Sequence, residues 1–195
     1  MKYLLLAAAP AAALALAACS PAADDNDAAP AAESTAGQAA DDTAAMAPAE
    51  GTDGEAAASA QGFVDQASAS DMFEIESGKL AQSMGKSEEV KQFGAMMVQD
   101  HTKSSAELKA AAGKAEGVKL APKLTAKQQS DLDALKKAGE NFDATYKTQQ
   151  VAAHTATLEL LTGFAANGDV QSLKDFAKKT APVVEKHLAE ARRLP

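Results

Sequence analysis

The sequence predicts an all-α protein, an antiparallel four-helix bundle with a short extra helix between the second and third long helices. Three observations support this fold class. After about residue 60, apolar residues recur at the three- and four-residue spacing of amphipathic helices. Alanine, leucine, lysine, glutamate and glutamine dominate the same part, a composition typical of helical bundles. The strict alternation of apolar and polar residues that indicates strands is not found.

Two segments precede the predicted domain, and the first is residues 1–18. It opens with Met-Lys-Tyr and continues as an alanine- and leucine-rich run, which predicts a secretory signal peptide. The run is too short to predict a transmembrane helix. The Leu-Ala-Ala sequence before Cys19 resembles a bacterial lipobox, which implies cleavage before Cys19 and a diacylglycerol on its thiol. An ordinary signal peptide followed by an incidental cysteine is the alternative.

Residues 19–60 predict an acidic, disordered tether, because Met46 is their only sizeable apolar side chain. Ser20, rather than an aspartate, follows the cysteine, so retention in the inner membrane is not indicated. We therefore expect an outer-membrane lipoprotein that faces the periplasm and contacts the membrane through the lipid on Cys19. The net charge of −8 argues against nucleic acid as a partner.

The predicted domain, residues 61–195, begins with a helical hairpin. Its first helix spans residues 63–84, and small residues on the buried face allow a neighbouring helix to approach closely. The second helix spans residues 87–116, with Ser87 as its N-cap and two glutamates in its first turn.

A second pair of long helices follows a connection. Thr125 caps a short helix, and Gly139 separates that helix from the third long helix, residues 141–166. Asp169 is the predicted N-cap of the fourth long helix, which Pro182 should bend or split. Because helices joined by short turns pack antiparallel, these elements predict a bundle.

All three histidines of the chain fall on buried faces of different predicted helices. His101 lies on the second long helix, His154 on the third and His187 on the fourth. Counting about 1.5 Å per residue, with the third helix taken as antiparallel to the second, places them within about one turn of each other in height. Glu74, on the buried face of the first helix, has the same predicted height.

This arrangement predicts a metal centre in the core of the bundle. Neutral imidazoles and a carboxylate suit zinc, copper or iron, so one such transition-metal ion is the predicted cofactor. Met97 and Gln150 lie one turn from His101 and His154, respectively, and are predicted to support the ligands. The alternative is a buried polar network, in which the histidines pair with Glu74 and Gln150 and fix the register of the helices.

Several short motifs resemble one bacterial family, domain of unknown function 4142. They are Phe-Glu-Ile-Glu-Ser-Gly-Lys-Leu-Ala at 73–81, Met-Val-Gln-Asp-His at 97–101, Asn-Phe-Asp-Ala-Thr-Tyr at 141–146, Val-Ala-Ala-His at 151–154 and Lys-His-Leu-Ala-Glu-Ala at 186–191. The resemblance implies a ferritin-like four-helix fold in the cell envelope and carries no established activity. It places the motif histidines of the family at His101, His154 and His187, and its first-helix acidic pair at Glu74 and Glu76.

An enzyme is the third hypothesis and has the least support in the sequence, with a redox enzyme at the histidine cluster as the form that stays open. Valine, at positions 98, 151 and 184, stands three residues before each histidine, where di-iron bundles carry glutamate. Carboxylate-bridged di-iron chemistry is therefore not inherited from the fold. No catalytic triad order, nucleophilic cysteine or phosphate loop is evident either. We expect an envelope-anchored bundle that binds one transition-metal ion. The alternative is a cofactor-free structural or stress-related envelope protein that acts by binding a partner.

Overall fold

The computed structural model describes residues 59–195. The predicted signal peptide, Cys19 and the predicted tether up to residue 58 lie outside the described residues. Every long element of the described part is a helix, which confirms the all-α bundle. None of these helices is long and apolar enough to cross a membrane. The helices are α1 (Ala60–Met84), α2 (Glu88–Ala112), α3 (Ala126–Lys137), α4 (Phe142–Asn167) and α5 (Gln171–Ala191).

Side-chain caps start two of the helices where the sequence predicts. The Ser87 hydroxyl accepts a hydrogen bond from the backbone N–H of Val90 at the start of α2. Thr125 and Gln128 form a capping box at the start of α3, in which each side chain accepts from the backbone N–H of the other residue. Gly139, with φ of 55°, then opens a short 3₁₀ turn that separates α3 from α4.

The start of α5 differs from the prediction. Val170, not Asp169, is the N-cap, and its extended backbone lets its carbonyl accept the N–H groups of Leu173 and Lys174. Asp169 therefore lies one residue too early to cap the helix. Pro182 lies inside α5, which continues through it as one helix.

Contacts between helices establish the direction of each one. Phe63, near the start of α1, stacks on Phe164, near the end of α4, with ring centroids 4.1 Å apart. Further along α1, the Ser77 hydroxyl accepts a hydrogen bond of 3.2 Å from Nε2 of Gln150, which lies earlier in α4. As the position in α1 increases, the position of its contact in α4 decreases. The two helices are therefore antiparallel.

Helices α2 and α5 are also antiparallel. The Ser172 hydroxyl, at the start of α5, donates to the carbonyl of Ala111 at the end of α2. Further along α5, Nε2 of His187 lies 3.0 Å from Oδ2 of Asp100, which lies earlier in α2, near its middle. Each long helix is thus antiparallel to both of its neighbours, while α2 and α4 run parallel across the diagonal. One long connection, which contains α3, crosses the length of the bundle as in ferritin-like folds.

This topology corrects the assumption that the third long helix runs antiparallel to the second. The long connection returns the chain to the opposite end of the bundle, so α4 starts at the same end as α2. The height of the histidines is unaffected, because His101 is residue 14 of the 25 in α2 and His154 is residue 13 of the 26 in α4. A residue near the middle of a helix keeps its height when the helix is reversed.

Two apolar clusters fill the ends of the bundle, and buried polar side chains lie between them. One cluster surrounds Phe63, Leu161 and Leu173, and the other surrounds Phe73, Phe142 and Met97. Nine polar side chains of the described residues are buried, and the three histidines with Asp71 and Glu74 form the polar layer between the clusters: Ser68, Ser70, Asp71, Glu74, Ser77, His101, Gln150, His154 and His187. Since burying a polar side chain costs free energy unless it finds a partner, this layer is the place to look for function.

A glycine contact brings α1 and α2 unusually close together. A Cβ atom on Gly94 would lie 2.6 Å from the Cβ of Ala81 and 2.7 Å from the carbonyl oxygen of Gly78. A Cβ on Gly78 would in turn lie 2.6 Å from the carbonyl oxygen of Gly94. Such distances are too short for real carbon atoms, so the two helix backbones touch only because both residues are glycine.

Candidate metal centre

The three histidine rings meet in the central polar layer. Their centroids form a nearly equilateral triangle, with 5.8 Å between His101 and His154, 5.6 Å between His101 and His187, and 5.5 Å between His154 and His187. One ring nitrogen from each residue lies within 4.8 Å of the other two. The positions of these residues on α2, α4 and α5 thus converge on one point.

One nitrogen of each ring is held by an acceptor outside the triangle. Nδ1 of His101 lies 2.8 Å from Oδ1 of Asp71 on α1. The second oxygen of Asp71 accepts a 3.3 Å hydrogen bond from the Ser105 hydroxyl. Nδ1 of His154 donates to the backbone carbonyl of Gln150, one turn earlier on α4, at 2.9 Å. A carbonyl or ionised carboxylate can only accept, so each of these nitrogens carries a proton.

His187 has the opposite orientation, since its Nε2 lies 3.0 Å from Oδ2 of Asp100. In the neutral form of each ring the remaining nitrogen therefore presents a lone pair. These nitrogens are Nε2 of His101, Nε2 of His154 and Nδ1 of His187. All three are buried and have no hydrogen-bond partner within residues 59–195.

The dimensions of the triangle suit a transition-metal ion after a small contraction. A point at the centre of a triangle with sides of 4.8 Å lies about 2.8 Å from each corner. Zinc–imidazole bonds are about 2.0–2.1 Å long, so each nitrogen would move inward by less than about 1 Å. Histidine ligands commonly donate their second N–H to a carboxylate or a backbone carbonyl, and all three rings do so.

The electrostatic surroundings keep two of the three rings neutral. Burial, together with the charge of His101, lowers the pKa of His154 to about 4. Burial also lowers the pKa of His187, although its hydrogen bond to Asp100 opposes the shift. For His101, burial likewise favours the neutral form. The hydrogen bond to Asp71 and the charge of Glu74 outweigh burial, and the pKa of His101 rises above 6.5.

Glu74 lies beside the triangle and not at one of its corners. Its Oε1 is 3.7 Å from Nδ1 of His154, the nitrogen that already donates to Gln150. The side chain is 1% exposed, and neither carboxylate oxygen has a hydrogen-bond partner in the described part of the chain. Burial raises the pKa of Glu74 to about 7, a shift that the charge of His101 partly offsets. Glu74 therefore places a titratable carboxyl group next to the three histidine rings.

Gln150 and Met97, the two residues predicted to support the ligands, lie in different surroundings. Gln150 holds His154 through its backbone carbonyl, while its side-chain nitrogen donates to Ser77 on α1. Met97 is fully buried in the apolar cluster near the α1–α2 turn, where it packs with residues such as Phe73. Of the two, only Gln150 forms a hydrogen bond with a histidine ring in the described part of the chain.

Sequence reasoning missed Asp71 and Asp100, the acceptors of His101 and His187. Asp71 precedes Glu74 by three residues on α1, so the helical period placed it on the same buried face and offered a signal. Asp100 offered none, because it is adjacent to His101 in sequence and points about 100° away around the helix. Its partner becomes evident only once α5 is known to pack against α2.

Comparison with known proteins places the chain in a family but does not supply an activity. No curated protein and no solved structure matches the chain. One family model does match, over residues 43–194, and its description is "Domain of unknown function (DUF4142)". The matched range starts before the described residues and ends with the last residues of the bundle. Since it covers most of the sequence, the chain belongs to the DUF4142 family.

Proposed function

We propose that this bundle binds one transition-metal ion through Nε2 of His101, Nε2 of His154 and Nδ1 of His187. One observation carries the proposal: the three buried rings each bring a nitrogen within 4.8 Å of the other two, and each ring has one buried nitrogen with no hydrogen-bond partner within residues 59–195. When all three rings are neutral, their three lone pairs repel one another in a low-dielectric core and have lost their hydrogen bonds to water. A cation at their centre would remove both penalties.

The donor set suggests the class of ion. Imidazole nitrogens suit zinc, copper and iron, and three neutral ligands leave a fourth position for water or a small ligand. Asp71 and Asp100 each accept from a ligand ring, and Glu74 lies next to the third. These acidic groups would offset the charge of a divalent ion and make the rings better donors.

The alternative is a cofactor-free polar network that fixes the register of the helices. In such a network the buried polar groups would satisfy one another. Here Glu74, Tyr146 and Gln150 contain unpartnered buried oxygens, in addition to the three ring nitrogens. This incomplete pairing is costly in a purely structural core. It therefore favours a site that acquires a ligand over one that serves packing alone.

The test is cobalt, zinc and copper binding to full-length protein purified without a histidine tag. We expect about one ion per chain by elemental analysis and a higher thermal midpoint with metal than with chelator. The variant His154→Gln should lose the ion. The matched control Glu76→Gln should keep it, because Glu76 is exposed and pairs with Lys79. If no metal binds and none raises the midpoint, the cofactor-free alternative would replace this proposal.

We further propose that the chain is a lipid-anchored envelope protein, attached through Cys19 and facing the periplasm at the outer membrane. The support is the signal-like run of residues 1–18 followed by Leu-Ala-Ala-Cys. The comparison is between the wild type and Cys19→Ser after cell fractionation, with mass spectrometry of the N-terminus. Wild-type protein should carry lipid and sediment with outer membranes, whereas the variant should not. Wild-type protein that is free of lipid would contradict the anchor.

A further inference from the structure

Of the three described acids whose carboxylates lie within 4 Å of a ring nitrogen, Asp100 is the one accessible to solvent. The side chains of Asp71 and Glu74 are 6% and 1% exposed, whereas that of Asp100 is 37% exposed. The histidines are enclosed, with side-chain exposures of 5% or less. Among the described residues that contact the three rings through a carboxylate, Asp100 is therefore the one that an ion in solution can reach.

The contact of Asp100 with His187 lies on the seam between α2 and α5, between two surface grooves along the same seam. A groove of about 500 Å³ lies toward the end of α2, where Glu107 and Lys179 form an ion pair on its wall. A second groove, of about 370 Å³, lies toward the start of α2 and is lined by Glu89 and Arg193. By contrast, the α1–α2 seam is closed by backbone contact at the paired glycines.

The ring of His187 spans the wall of the bundle at this point. Its Nε2 faces the half-exposed Asp100, and its Nδ1 is the buried nitrogen without a protein partner. Rings held by Asp71 or by the Gln150 carbonyl connect one buried group to another. Of the three rings, His187 is thus the one that joins a solvent-accessible group to the triangle.

We propose that metal ions enter and leave the site through the α2–α5 seam, with the carboxylate of Asp100 as their first contact. The inference rests on the proposed function, since it concerns the route to the same three nitrogens. A carboxylate readily replaces a water molecule on a divalent ion and brings it to the edge of the His187 ring. Asp100 is a positioning residue in this scheme, because it captures the ion that the histidines then bind.

The test is the association rate of Co²⁺, measured by stopped-flow absorption with the full-length chain at low ionic strength. Asp100→Asn keeps an oxygen that accepts from Nε2 of His187 but removes the charge. We expect its association rate constant to fall about three- to tenfold, with the difference shrinking at high salt. Glu76→Gln, which removes one exposed charge elsewhere, should bind at the wild-type rate.

Two further variants distinguish an effect on metal entry from an effect on the strength of metal binding. Asp100→Glu retains the charge and should associate within about twofold of the wild type, because steering depends on the carboxylate. Asp71→Asn should raise the dissociation rate and leave association unchanged, because Asp71 is buried. Equal association rates for the wild type and Asp100→Asn, or an equally slow Asp100→Glu, would overturn the entry route while leaving metal binding intact. A wild-type chain that takes up no Co²⁺ would overturn the proposed function itself.

Discussion

Nδ1 of His101 lies 2.8 Å from Oδ1 of Asp71, and both side chains are almost completely buried. This contact joins α1 to α2 at the height of the triangle. It directs Nε2 of His101 inward and stabilises the proton on Nδ1. Asp71 therefore links the packing of the α1–α2 hairpin to the donor strength of one proposed ligand.

The variant Asp71→Asn should weaken metal binding without abolishing it. Asparagine still accepts a hydrogen bond from Nδ1, but the loss of the negative charge makes the ring a poorer donor. We expect an affinity for Co²⁺ about 10- to 100-fold lower, as is common when the acceptor behind a histidine ligand is changed. Equilibrium titration against a competing chelator measures the change. Glu76→Gln is the control for net charge, and an Asp71→Asn affinity equal to that of the control would contradict the role of Asp71.

Metal binding should release protons in an amount that the pKa shifts predict. The pKa of His101 lies above 6.5 and that of Glu74 is about 7, whereas the pKa of His154 is about 4 and that of His187 is lowered. At pH 6.5 the protons that the metal-free site can release are therefore mainly the second ring proton of His101 and the carboxyl proton of Glu74. A bound cation would displace them, so affinity falls as the pH is lowered below 7.

Calorimetry in buffers of different ionisation enthalpy measures this proton release. We expect about one to two protons per Co²⁺ at pH 6.5 in the wild type, and fewer in Glu74→Gln because one titrating group is gone. Release of three protons would mean that His154 or His187 is also charged before binding. Release of none would mean that neither Glu74 nor His101 holds a proton. Either result would contradict the pKa shifts of these groups.

Glu74→Gln should stabilise the metal-free protein at high pH. The pKa of this carboxyl in the folded state is raised from 4.5 to about 7. Its contribution to the free energy of unfolding is therefore fully present below pH 4.5 and is lost as the pH rises through 7. At pH 8 the wild type contains an ionised, buried carboxylate, which the amide replaces with a neutral group. The difference in pKa corresponds to a gain of about 3 kcal/mol at pH 8.

Urea unfolding in chelator at pH 8 and pH 5 provides the measurement. At pH 5 the carboxyl of the folded wild type is mostly protonated, so the gain from Glu74→Gln should shrink to less than about 1 kcal/mol. Glu76→Gln should change little at either pH, because Glu76 is exposed. A loss of stability in Glu74→Gln at pH 8 would show that the ionised carboxylate has a partner that the amide cannot replace.

The sequence predicted most of the fold because the helix signals are local. Thr125 with Gln128, and Ser87 before two glutamates, mark helix starts that need no tertiary contact to be recognised. The histidines were placed on buried faces because the helical period alone fixes the face. What the sequence did not reveal was the relative direction of α2 and α4. This direction depends on the path of a long connection and on packing between distant segments.

The hydrogen-bond partners around the histidine rings were the hardest feature of the site to predict from the sequence. Asp100 pairs with His187 across 87 residues of sequence, and no local pattern links the two. Tyr146 illustrates the opposite difficulty. A buried tyrosine hydroxyl usually has a hydrogen-bond partner, yet that of Tyr146 is buried without one in the described part of the chain. Burial and the charge of Glu74 together raise its pKa. Functional sites often depart in this way from the rule that buried polar groups are paired.

The glycine contact between α1 and α2 gives a last prediction, which links packing to the site. In Gly94→Ala the new methyl group would meet the Cβ of Ala81 and the carbonyl oxygen of Gly78, and neither can move without separating the helices. We expect a net loss of about 1–3 kcal/mol in urea unfolding, because overpacking outweighs the better helix propensity of alanine. Gly163→Ala is the control, since a Cβ there meets nothing within 4 Å. It should gain up to about 1 kcal/mol from helix propensity alone.

The same pair of variants tests whether helix spacing sets the metal affinity. Gly94 lies two turns before His101 on α2, and Asp71 holds His101 from α1. Moving α1 away from α2 should lengthen that hydrogen bond and rotate the ring away from the other two histidines. Folded Gly94→Ala should therefore bind Co²⁺ more weakly, by about 10-fold or more, whereas Gly163→Ala should bind as the wild type does. If Gly94→Ala lost stability but kept full affinity, the position of His101 would not depend on the α1–α2 contact.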